Sequence, residues 1–203
     1  MLQSGHIFIV SAASGTGKTT LVSRLSACQP DIRISISHTT RMPRDGEQNG
    51  IHYHFVSRDE FEQMIAANAF IEHANVYGNY YGTSLKAVES LSKQGYNVIL
   101  EIDVQGAEQI RRLLPEATSI FILPPSMAEL NERLRNRGTD SEDVIAYRLE
   151  KSREEIEQSL LFDYVIVNEE ITQAENDLLA IIRSVRLRAK AQSQTIIQIL
   201  SEK

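Results

Sequence analysis

The fold of this chain is decided by residues 6–19, which read HIFIVSAASGTGKT. The first five of these residues form a short apolar run rich in β-branched side chains, which predicts a buried strand. A glycine-rich turn follows, and from Lys18 onward the apolar residues Leu21, Val22 and Leu25 recur with helical spacing. The stretch therefore predicts a strand, a tight loop and a helix in direct succession.

The tight loop carries most of a phosphate-binding pattern. It matches G-x-x-x-x-G-K-[ST] except at the first position, where Ala12 replaces glycine. Gly15 and Gly17 allow the backbone N–H groups to turn inward around an anion, toward which the following helix directs its positive end. In this pattern the lysine, here Lys18, reaches the β- and γ-phosphates, and the next hydroxyl, that of Thr19, ligates Mg²⁺. The predicted ATP-binding residues are Ala12, Ala13, Ser14, Gly15, Thr16, Gly17, Lys18, Thr19 and Thr20.

Outside this stretch, short apolar segments alternate with helical patterns. The further predicted strands cover residues 32–36, 97–102, 118–123 and 164–167. The further predicted helices cover residues 84–93, 104–113, 128–135, 142–160 and 171 onward. Because continuous apolar strands separated by helices are typical of βαβ units, we expect an α/β fold with a parallel sheet flanked by helices.

Two stretches interrupt this alternation. Residues 38–82 hold polar loops and a short alternating strand, and residues 133–148 are dense in charge. Both lie between predicted sheet elements, so we expect excursions from the core rather than separate domains. From Arg183 the pattern predicts a long amphipathic helix, which packs either on its own domain or on a twin subunit.

The composition excludes several classes of protein. With 203 residues, of which 42% are hydrophobic and 24% charged, the chain is typical of one globular domain. Its apolar runs are shorter than the roughly 18 residues that suggest a membrane helix, so we expect no membrane span. The N-terminus lacks a basic region, so we also expect no signal peptide. The lone Cys28 offers neither an internal disulfide nor a metal cluster, which favours a reducing, cytoplasmic location.

The charge pattern points to small anionic ligands. The chain has 21 Lys and Arg against 27 Asp and Glu, a net charge of −6 that argues against nucleic-acid binding. Arginines are nevertheless concentrated in two short stretches, Arg41 with Arg44 and Arg133 with Arg135 and Arg137. This concentration predicts a small, highly charged anion as ligand, and solvated surface charge is the alternative for any single arginine.

The first arginine stretch predicts a second phosphate site. Arg41 and Arg44 lie three residues apart behind several hydroxyl side chains. The planar guanidinium binds phosphate with two parallel hydrogen bonds, so this pair would hold a monophosphate away from the triphosphate loop. Tyr53, Glu72 and the segment 81–83 follow, and from the residues alone each of these is as compatible with a structural role as with a functional one.

Together these stretches resemble the guanylate kinases over residues 5–185. The matching segments are SGTGK (14–18), SHTTRMPR (37–44), Gly46-Glu47, Gly50, Tyr53, FIE (70–72), GNYYGT (78–83), IDVQGA (102–107), PPS (124–126) and RNRG (135–138). The resemblance implies a P-loop kinase domain over residues 4–184, with a GMP-binding arm at about 38–84 and a lid at about 133–148. Residues 185–203 would be a C-terminal helical extension, through which a homo-oligomer could form.

The resemblance also implies roles for particular residues. Those on the GMP side are Ser37, Arg41, Arg44, Tyr53, Glu72, Tyr81, Thr83, Glu101 and Asp103. Among them, Arg41, Arg44, Tyr53 and Tyr81 would hold the phosphate. Lys18, Arg137 and Arg148 would neutralise the transferring phosphoryl group, whereas Arg133 and Arg135 have a salt-bridged helix surface as their alternative.

The guanine assignment also makes chemical sense from the residue types. Guanine presents N1–H and N2–H₂ as adjacent donors, which the carboxylate of Glu72 can accept together, and the hydroxyls of Ser37 and Thr83 can donate to O6. Adenine carries an acceptor at N1, which would leave a buried carboxylate badly paired. Glu101 stands where the family often has aspartate, and its longer side chain leaves open whether it reaches Mg²⁺, the guanine amine through water, or neither.

The implied reaction is ATP + GMP ⇌ ADP + GDP with Mg²⁺, with dGMP as a second acceptor, in purine nucleotide metabolism and GMP recycling. One alternative is a kinase of another phosphorylated acceptor such as a ribose bisphosphate, against which a base-reading Glu72 argues. The other is a non-catalytic guanylate-kinase-like module that binds phosphopeptides. The intact Gly17-Lys18-Thr19 argues against that module, because such modules typically have a degraded phosphate loop.

Overall fold

The computed structural model describes residues 5–136 and 141–201. Its strands are β1 (Ile7–Ala12), β2 (Ile32–Ile34), β3 (His38–Thr39), β4 (His54–Phe55), β5 (Phe70–Val76), β6 (Asn79–Ser84), β7 (Asn97–Glu101), β8 (Thr118–Leu123) and β9 (Tyr164–Val167). Its helices are α1 (Lys18–Cys28), α2 (Arg58–Ala66), α3 (Leu85–Lys93), α4 (Val104–Leu113), α5 (Met127–Asn136), α6 (Glu142–Glu157), α7 (Ile171–Arg186) and α8 (Ser193–Ser201), with a 3₁₀ turn at Gln158–Leu161.

The core is a parallel sheet with the strand order β2-β7-β1-β8-β9. From the central β1 the chain crosses to β2 at one edge and later reaches β8 on the other side of β1. The crevice at the carboxyl end of β1 is therefore a topological switch point, where open α/β sheets bind their ligands. The predicted α/β fold with a flanked parallel sheet is confirmed.

Helices cover both faces of this sheet, as a parallel sheet requires. Phe8 and Val10 of β1 face α1 and α7, in a fully buried cluster that includes Leu21 and Leu178. Ile9, between them in sequence, points to the opposite face, which α3 and α4 cover. The continuous apolar run of β1 thus reflects burial on both sides, and it holds the loop after it on a rigid strand.

A second sheet, with the order β4-β3-β6-β5, is formed by the polar stretch that interrupts the sequence pattern. Helix α2 packs on it through Phe61, which stacks on Phe70 with 4.4 Å between the ring centroids. A Cβ on Gly82 would lie 2.9 Å from the Phe61 ring, so glycine at this position lets the helix approach the strand closely. This sheet carries Ser37, Tyr53, Glu72 and Tyr81 at or beside its strands.

The charged stretch around residue 140 lies between α5 and α6. These two helices pack together through Leu130, Leu134 and Ile145. Arg137 lies outside the described residues, so its predicted role stays a prediction. None of the helices described is long and apolar enough to cross a membrane.

The amphipathic pattern predicted one long C-terminal helix, but the structure has two helices joined by a turn. Helix α7 ends at Arg186, turns occupy residues 187–192, and α8 begins at Ser193. Solvent-exposed ion pairs connect Arg186 to Asp31 and Lys190 to Glu116 at this turn. Helical periodicity continues through such a turn, because it records which side chains are apolar and not where the backbone bends.

Candidate active site

The loop after β1 has the backbone geometry that anion binding needs. Gly15 and Gly17 have φ values of +96° and +89°, in the left-handed region that glycine adopts most readily. The hydroxyl of Thr16 donates to the carbonyl of Ala13 at 3.0 Å and closes the turn. Helix α1 begins directly after Gly17, so the positive end of its dipole points into the loop.

Asn168, which follows β9, supports this loop through a side-chain hydrogen bond to its backbone. Its Nδ2 donates to the Thr16 carbonyl at 2.7 Å, and it would lie 2.7 Å from a Cβ on Gly17. Arg133 also donates to the Thr16 carbonyl, at 3.3 Å, and to the carbonyl of Asn168 at 3.2 Å. These contacts come from residues more than 100 positions away, and the sequence pattern contains no signal for them.

Arg133 and Arg135, both on α5, have different surroundings. Arg133 also pairs with Glu129 at 2.9 Å, so it combines a surface ion pair with support of the loop. Arg135 pairs with Glu142 between α5 and α6. The alternative of a salt-bridged helix surface thus describes Arg135 well and describes only part of the environment of Arg133.

Lys18 and Thr19 connect the loop to the end of β7. The Nζ of Lys18 donates to the carbonyl of Ile102 at 2.9 Å, and the hydroxyl of Thr19 donates to the Glu101 carboxylate. Glu101 therefore lies beside the metal-binding position that the loop pattern assigns to Thr19. Hydroxyl and carboxylate oxygens are hard donors of the kind that Mg²⁺ prefers, so this pair fits the ion.

The predicted acceptor-phosphate site is ordered by an acidic residue. Glu47 accepts two hydrogen bonds from the Arg41 guanidinium, at 2.8 and 2.9 Å, and one from the Arg44 backbone N–H at 2.8 Å. Although burial opposes its ionisation, these hydrogen bonds lower the pKa of the Glu47 carboxyl. Glu47 belongs to the matching sequence segments without an assigned role, and in the structure it orients the Arg41 guanidinium and binds the backbone of Arg44.

Two tyrosines complete this site. The rings of Tyr53 and Tyr81 meet edge to face at 6.0 Å, and the Arg41 guanidinium lies 5.5 Å from the Tyr53 ring centroid. Burial, and then the negative charge of Glu101, raises the pKa of Tyr53. Its phenol therefore stays protonated at neutral pH and can act as a hydrogen-bond donor. The Arg44 side chain is exposed.

Glu72 is buried in the cleft and is held by a hydrogen bond from a neighbouring strand. It is 3% exposed, and it accepts a hydrogen bond from the Thr83 hydroxyl at 2.5 Å. The hydroxyls of Ser37 and Thr83 lie 3.5 Å apart. Burial raises the pKa of Glu72 to about 7, and the nearby charge of Asp103 raises it as well, while the Thr83 hydrogen bond opposes the rise. Thr83 is fully buried behind Glu72, so its hydroxyl orients this carboxylate in the described structure.

Gly106 makes room for the Glu72 carboxylate. A Cβ at Gly106 would lie 2.4 Å from Glu72 Oε2, closer than two non-bonded atoms approach. Its backbone N–H donates to Asp103 Oδ1 at 2.9 Å, which caps the start of α4. The glycine of the IDVQG segment is thus required for close approach and not for its backbone conformation.

The phosphate loop and most of the predicted acceptor-side residues open onto one cleft of about 300 Å³ between the two sheets. It is lined by the loop residues 12–20 and by Ser37, Arg41, Arg44, Tyr53, Glu72, Tyr81, Glu101, Asp103 and Arg148. Every predicted site residue within the described ranges therefore lines the cleft except Thr83. Lys18, Arg41, Arg44 and Arg148 bring positive charge to this cleft, although the chain as a whole is acidic.

Arg148 reaches the cleft from α6. Its guanidinium lies 5.7 Å from the ring centroid of Tyr77, which is also in contact with the Tyr147 ring at 6.0 Å. Tyr77 and Gly78 form the tip of the hairpin between β5 and β6, with φ values of 50° and 81°. The second sheet and α6 therefore meet at this tip, a contact that sequence reasoning missed.

A phosphate loop on the central strand of a parallel sheet, facing a second cationic pocket on a separate sheet, defines the class of P-loop kinases that act on small phosphorylated acceptors. The comparison with known proteins narrows this class. The guanylate kinase family profile matches residues 4–185, and the chain belongs to the guanylate kinase family.

Individual relatives agree with this assignment. Guanylate kinase from Neisseria gonorrhoeae is 60% identical over 198 residues, which cover 98% of this chain and 97% of that protein. Guanylate kinase from Escherichia coli strain K12 is 52% identical, with 95% of this chain and 94% of that protein covered. A crystal structure of guanylate kinase from Anaplasma phagocytophilum gives a TM-score of 0.75 at 34% identity, covering 92% of this chain and 89% of the other.

Proposed function

We propose that this protein transfers the γ-phosphoryl group of ATP to GMP or dGMP, giving ADP and GDP or dGDP, in purine nucleotide metabolism and GMP recycling. The observation that carries the proposal is that the Lys18 loop and the Glu72 pocket open onto the same cleft. Relatives named guanylate kinase, at 52–60% identity over nearly the whole chain, support it.

The donor side is the loop of residues 12–20. Its inward backbone N–H groups and the start of α1 would bind the phosphates of ATP. The Lys18 ammonium would stabilise the negative charge of the γ-phosphoryl group during its transfer. Preorganised charges of this kind stabilise a transition state without reorganising during the reaction. We assign Lys18 and Arg148 to this electrostatic role, together with Arg137 from outside the described residues.

The acceptor side reads both ends of GMP. Glu72, oriented by Thr83, would accept N1–H and N2–H₂ of guanine, and Ser37 would donate to O6. At the other end, Arg41, Arg44, Tyr53 and Tyr81 would bind the phosphate through charge-assisted and phenol hydrogen bonds. The accepting phosphate is already ionised, so the reaction needs in-line placement and charge neutralisation rather than a general base.

Mg²⁺ is part of this proposal, with the Thr19 hydroxyl as its protein ligand and Glu101 beside it. When bound, the ion would neutralise charge on the phosphates of ATP. Within residues 5–136 and 141–201, no cluster of three or more His, Cys, Asp or Glu side chains could hold a metal alone. A site of one hydroxyl and one nearby carboxylate suits an ion that is held mainly by phosphates and water. The Thr19 contact thus favours the donor side for Glu101, which the resemblance had grouped with GMP.

The remaining assignments are also proposals. We propose one domain over residues 4–184, with its arm at 38–84 and its lid at 133–148, and a C-terminal extension at 185–203. Helix α8 exposes Ile196, Ile197, Ile199 and Leu200, which supports its use as a contact between copies of the chain. A cytoplasmic location is supported by the exposed free thiol of Cys28, which suits a reducing compartment.

A coupled assay of ADP formation tests the function directly. The purified protein is given ATP and Mg²⁺ with GMP, dGMP, AMP, CMP, UMP or a ribose bisphosphate in turn. We expect turnover with GMP and dGMP and little with the other acceptors. A preference for a sugar phosphate would identify a kinase of another acceptor, and absence of turnover with every acceptor would favour the non-catalytic module.

A further inference from the structure

The phosphate loop is in contact with an acidic side chain that the proposed reaction does not use. The carboxylate of Glu155, on the last turn of α6, lies close enough to the backbone N–H of Ser14 in the loop for that donor to stabilise its charged form. Its other oxygen, Oε2, is buried without a hydrogen-bond partner among the described residues. The carboxylate also lines the cleft that holds Lys18. An anionic oxygen thus already lies against a donor of the anion-binding loop.

The groups around Glu155 come from four different elements. Lys18 on α1 attracts its negative charge, while Asp103 before α4 and Glu154 on α6 repel it. Tyr77 at the hairpin tip is the fourth group, and burial, then the charge of Glu155, raises the pKa of this phenol to about 12. Burial in this setting raises the pKa of Glu155 to about 7. A carboxylate with so little compensation gains from any change that moves it toward water.

We infer that Glu155 is a positioning residue that occupies part of the phosphate loop in the nucleotide-free protein and must leave it when the triphosphate binds. The Ser14 N–H belongs to the loop whose donors cradle phosphates, so a phosphate oxygen and the Glu155 carboxylate compete for it. Two anions cannot share this small, partly buried space without strong repulsion. The inference rests on the proposed use of ATP as donor.

The position of Glu155 links the donor site to the lid helix. Arg148 lies on the same helix, seven residues and about two helical turns earlier, so both side chains move with α6. Any movement of α6 that accompanies the release of Glu155 would therefore also move a proposed catalytic arginine. When Glu155 occupies the loop, ATP cannot bind there. The apparent affinity for ATP is therefore the intrinsic affinity multiplied by the fraction of molecules in which the loop is accessible.

The test measures ATP binding by calorimetry without GMP, with tripolyphosphate as a probe that lacks adenosine. Glu155→Gln should bind ATP and tripolyphosphate about tenfold more tightly than the wild type, because a neutral amide competes poorly for the loop. Its affinity for GMP should stay within about twofold, since GMP binds through the other sheet. Glu157→Gln removes the same charge from an exposed position at the end of α6 and should leave both affinities unchanged.

A second variant separates loop occupation from a general effect of negative charge. Glu155→Asp keeps the charge but is shorter by one methylene, about 1.5 Å, and loses its reach to Ser14. It should therefore also bind ATP more tightly than the wild type. If Glu155→Gln binds no more tightly, or if Glu155→Asp equals the wild type, the inference is overturned.

A spectroscopic readout is independent of the proposed function. In ¹⁵N-labelled, nucleotide-free protein, the Ser14 amide proton should shift upfield in Glu155→Gln and stay in place in Glu157→Gln. An unchanged Ser14 resonance in Glu155→Gln would also overturn the inference. If instead the wild type binds no ATP while the Ser14 resonance moves as expected, the assignment of ATP as donor fails and the Glu155 contact stands.

Discussion

Replacement of Glu72 by glutamine probes base recognition with almost no change of shape. The introduced amide would keep an oxygen that can accept the Thr83 hydroxyl hydrogen bond, so its NH₂ group would take the place of Oε2. Guanine presents donors at N1 and N2, and the new NH₂ donor would face one of them. The substitution therefore removes one charge-assisted hydrogen bond and introduces a repulsive contact at the same point.

The size of the effect follows from the burial of this site. Hydrogen bonds to charged groups contribute about 1.5–3 kcal/mol, and Glu72 is 3% exposed, so water cannot replace the lost acceptor. We expect a loss of about 3 kcal/mol in transition-state stabilisation, which is about 150-fold in kcat/KM for GMP. The KM for ATP should be unchanged, and the preference for GMP over AMP should shrink, because adenine carries an acceptor at N1.

The same residue predicts a pH dependence. Glu72 has a pKa of about 7 in the folded protein, so it is increasingly protonated below that pH and can no longer accept both guanine donors. Wild-type kcat/KM for GMP should fall about tenfold per pH unit below 7. Glu72→Gln should lack this component, and because GMP phosphate titrates equally in both assays, their ratio isolates Glu72.

Stability should change in the corresponding direction. Because burial raises the folded-state pKa of Glu72 above its ordinary 4.5, the folded protein binds the extra proton between pH 4.5 and about 7. Its contribution to stability is full below pH 4.5 and is lost as the pH rises through 7, a change of about 3 kcal/mol. Glu72→Gln has no carboxyl at this position and should not show this loss. In denaturant unfolding, the free energy of unfolding of Glu72→Gln minus that of the wild type should therefore increase with pH.

The assay is steady-state turnover at pH 8 with GMP, IMP and AMP as acceptors. Glu62→Gln removes an exposed carboxyl on α2, which packs on the same sheet, and as the matched control it should behave as the wild type. IMP lacks the N2 amine and should be at least about tenfold poorer than GMP for the wild type, because it loses one hydrogen bond to a charged group, worth about 1.5–3 kcal/mol. Equal turnover of IMP and GMP, or an unchanged base preference in Glu72→Gln, would refute the reasoning.

Four further substitutions test the other parts of the site. Lys18→Met should lower kcat by about 100-fold or more while the thermal unfolding temperature is retained, and near-normal kcat in a folded variant would remove Lys18 from the mechanism. Arg41→Ala and Arg44→Ala should each raise the KM for GMP far more than that for ATP, with losses of about 1.5–3 kcal/mol. A larger effect on ATP would mean that the two anion sites are interchanged. Glu101→Gln should raise the Mg²⁺ concentration needed for half-maximal turnover and leave the KM for GMP unchanged, and the reverse pattern would place Glu101 on the acceptor side.

The sequence by itself was enough for features that depend on neighbouring residues. The strand before the phosphate loop, the left-handed glycines within it and the helix after it follow from patterns within residues 6–25. Parallel strands could be predicted because burial on both faces leaves continuous apolar runs, as in Phe8, Ile9 and Val10. The assignment of most site residues came from the order of short segments that resemble a family, and not from any contact visible in the sequence.

The tertiary structure alone decided how those segments support one another. Asn168 reaches the Thr16 carbonyl across 152 positions of the chain, and Gly106 on α4 leaves the space that the Glu72 carboxylate from β5 occupies. The contact of Glu155 with the loop likewise depends on where α6 is packed. Side-chain periodicity records which face of an element is apolar, and it contains no information on which distant element covers that face. Such contacts are determined by the packing of the two sheets and their surrounding helices, which exists only once the whole chain has folded.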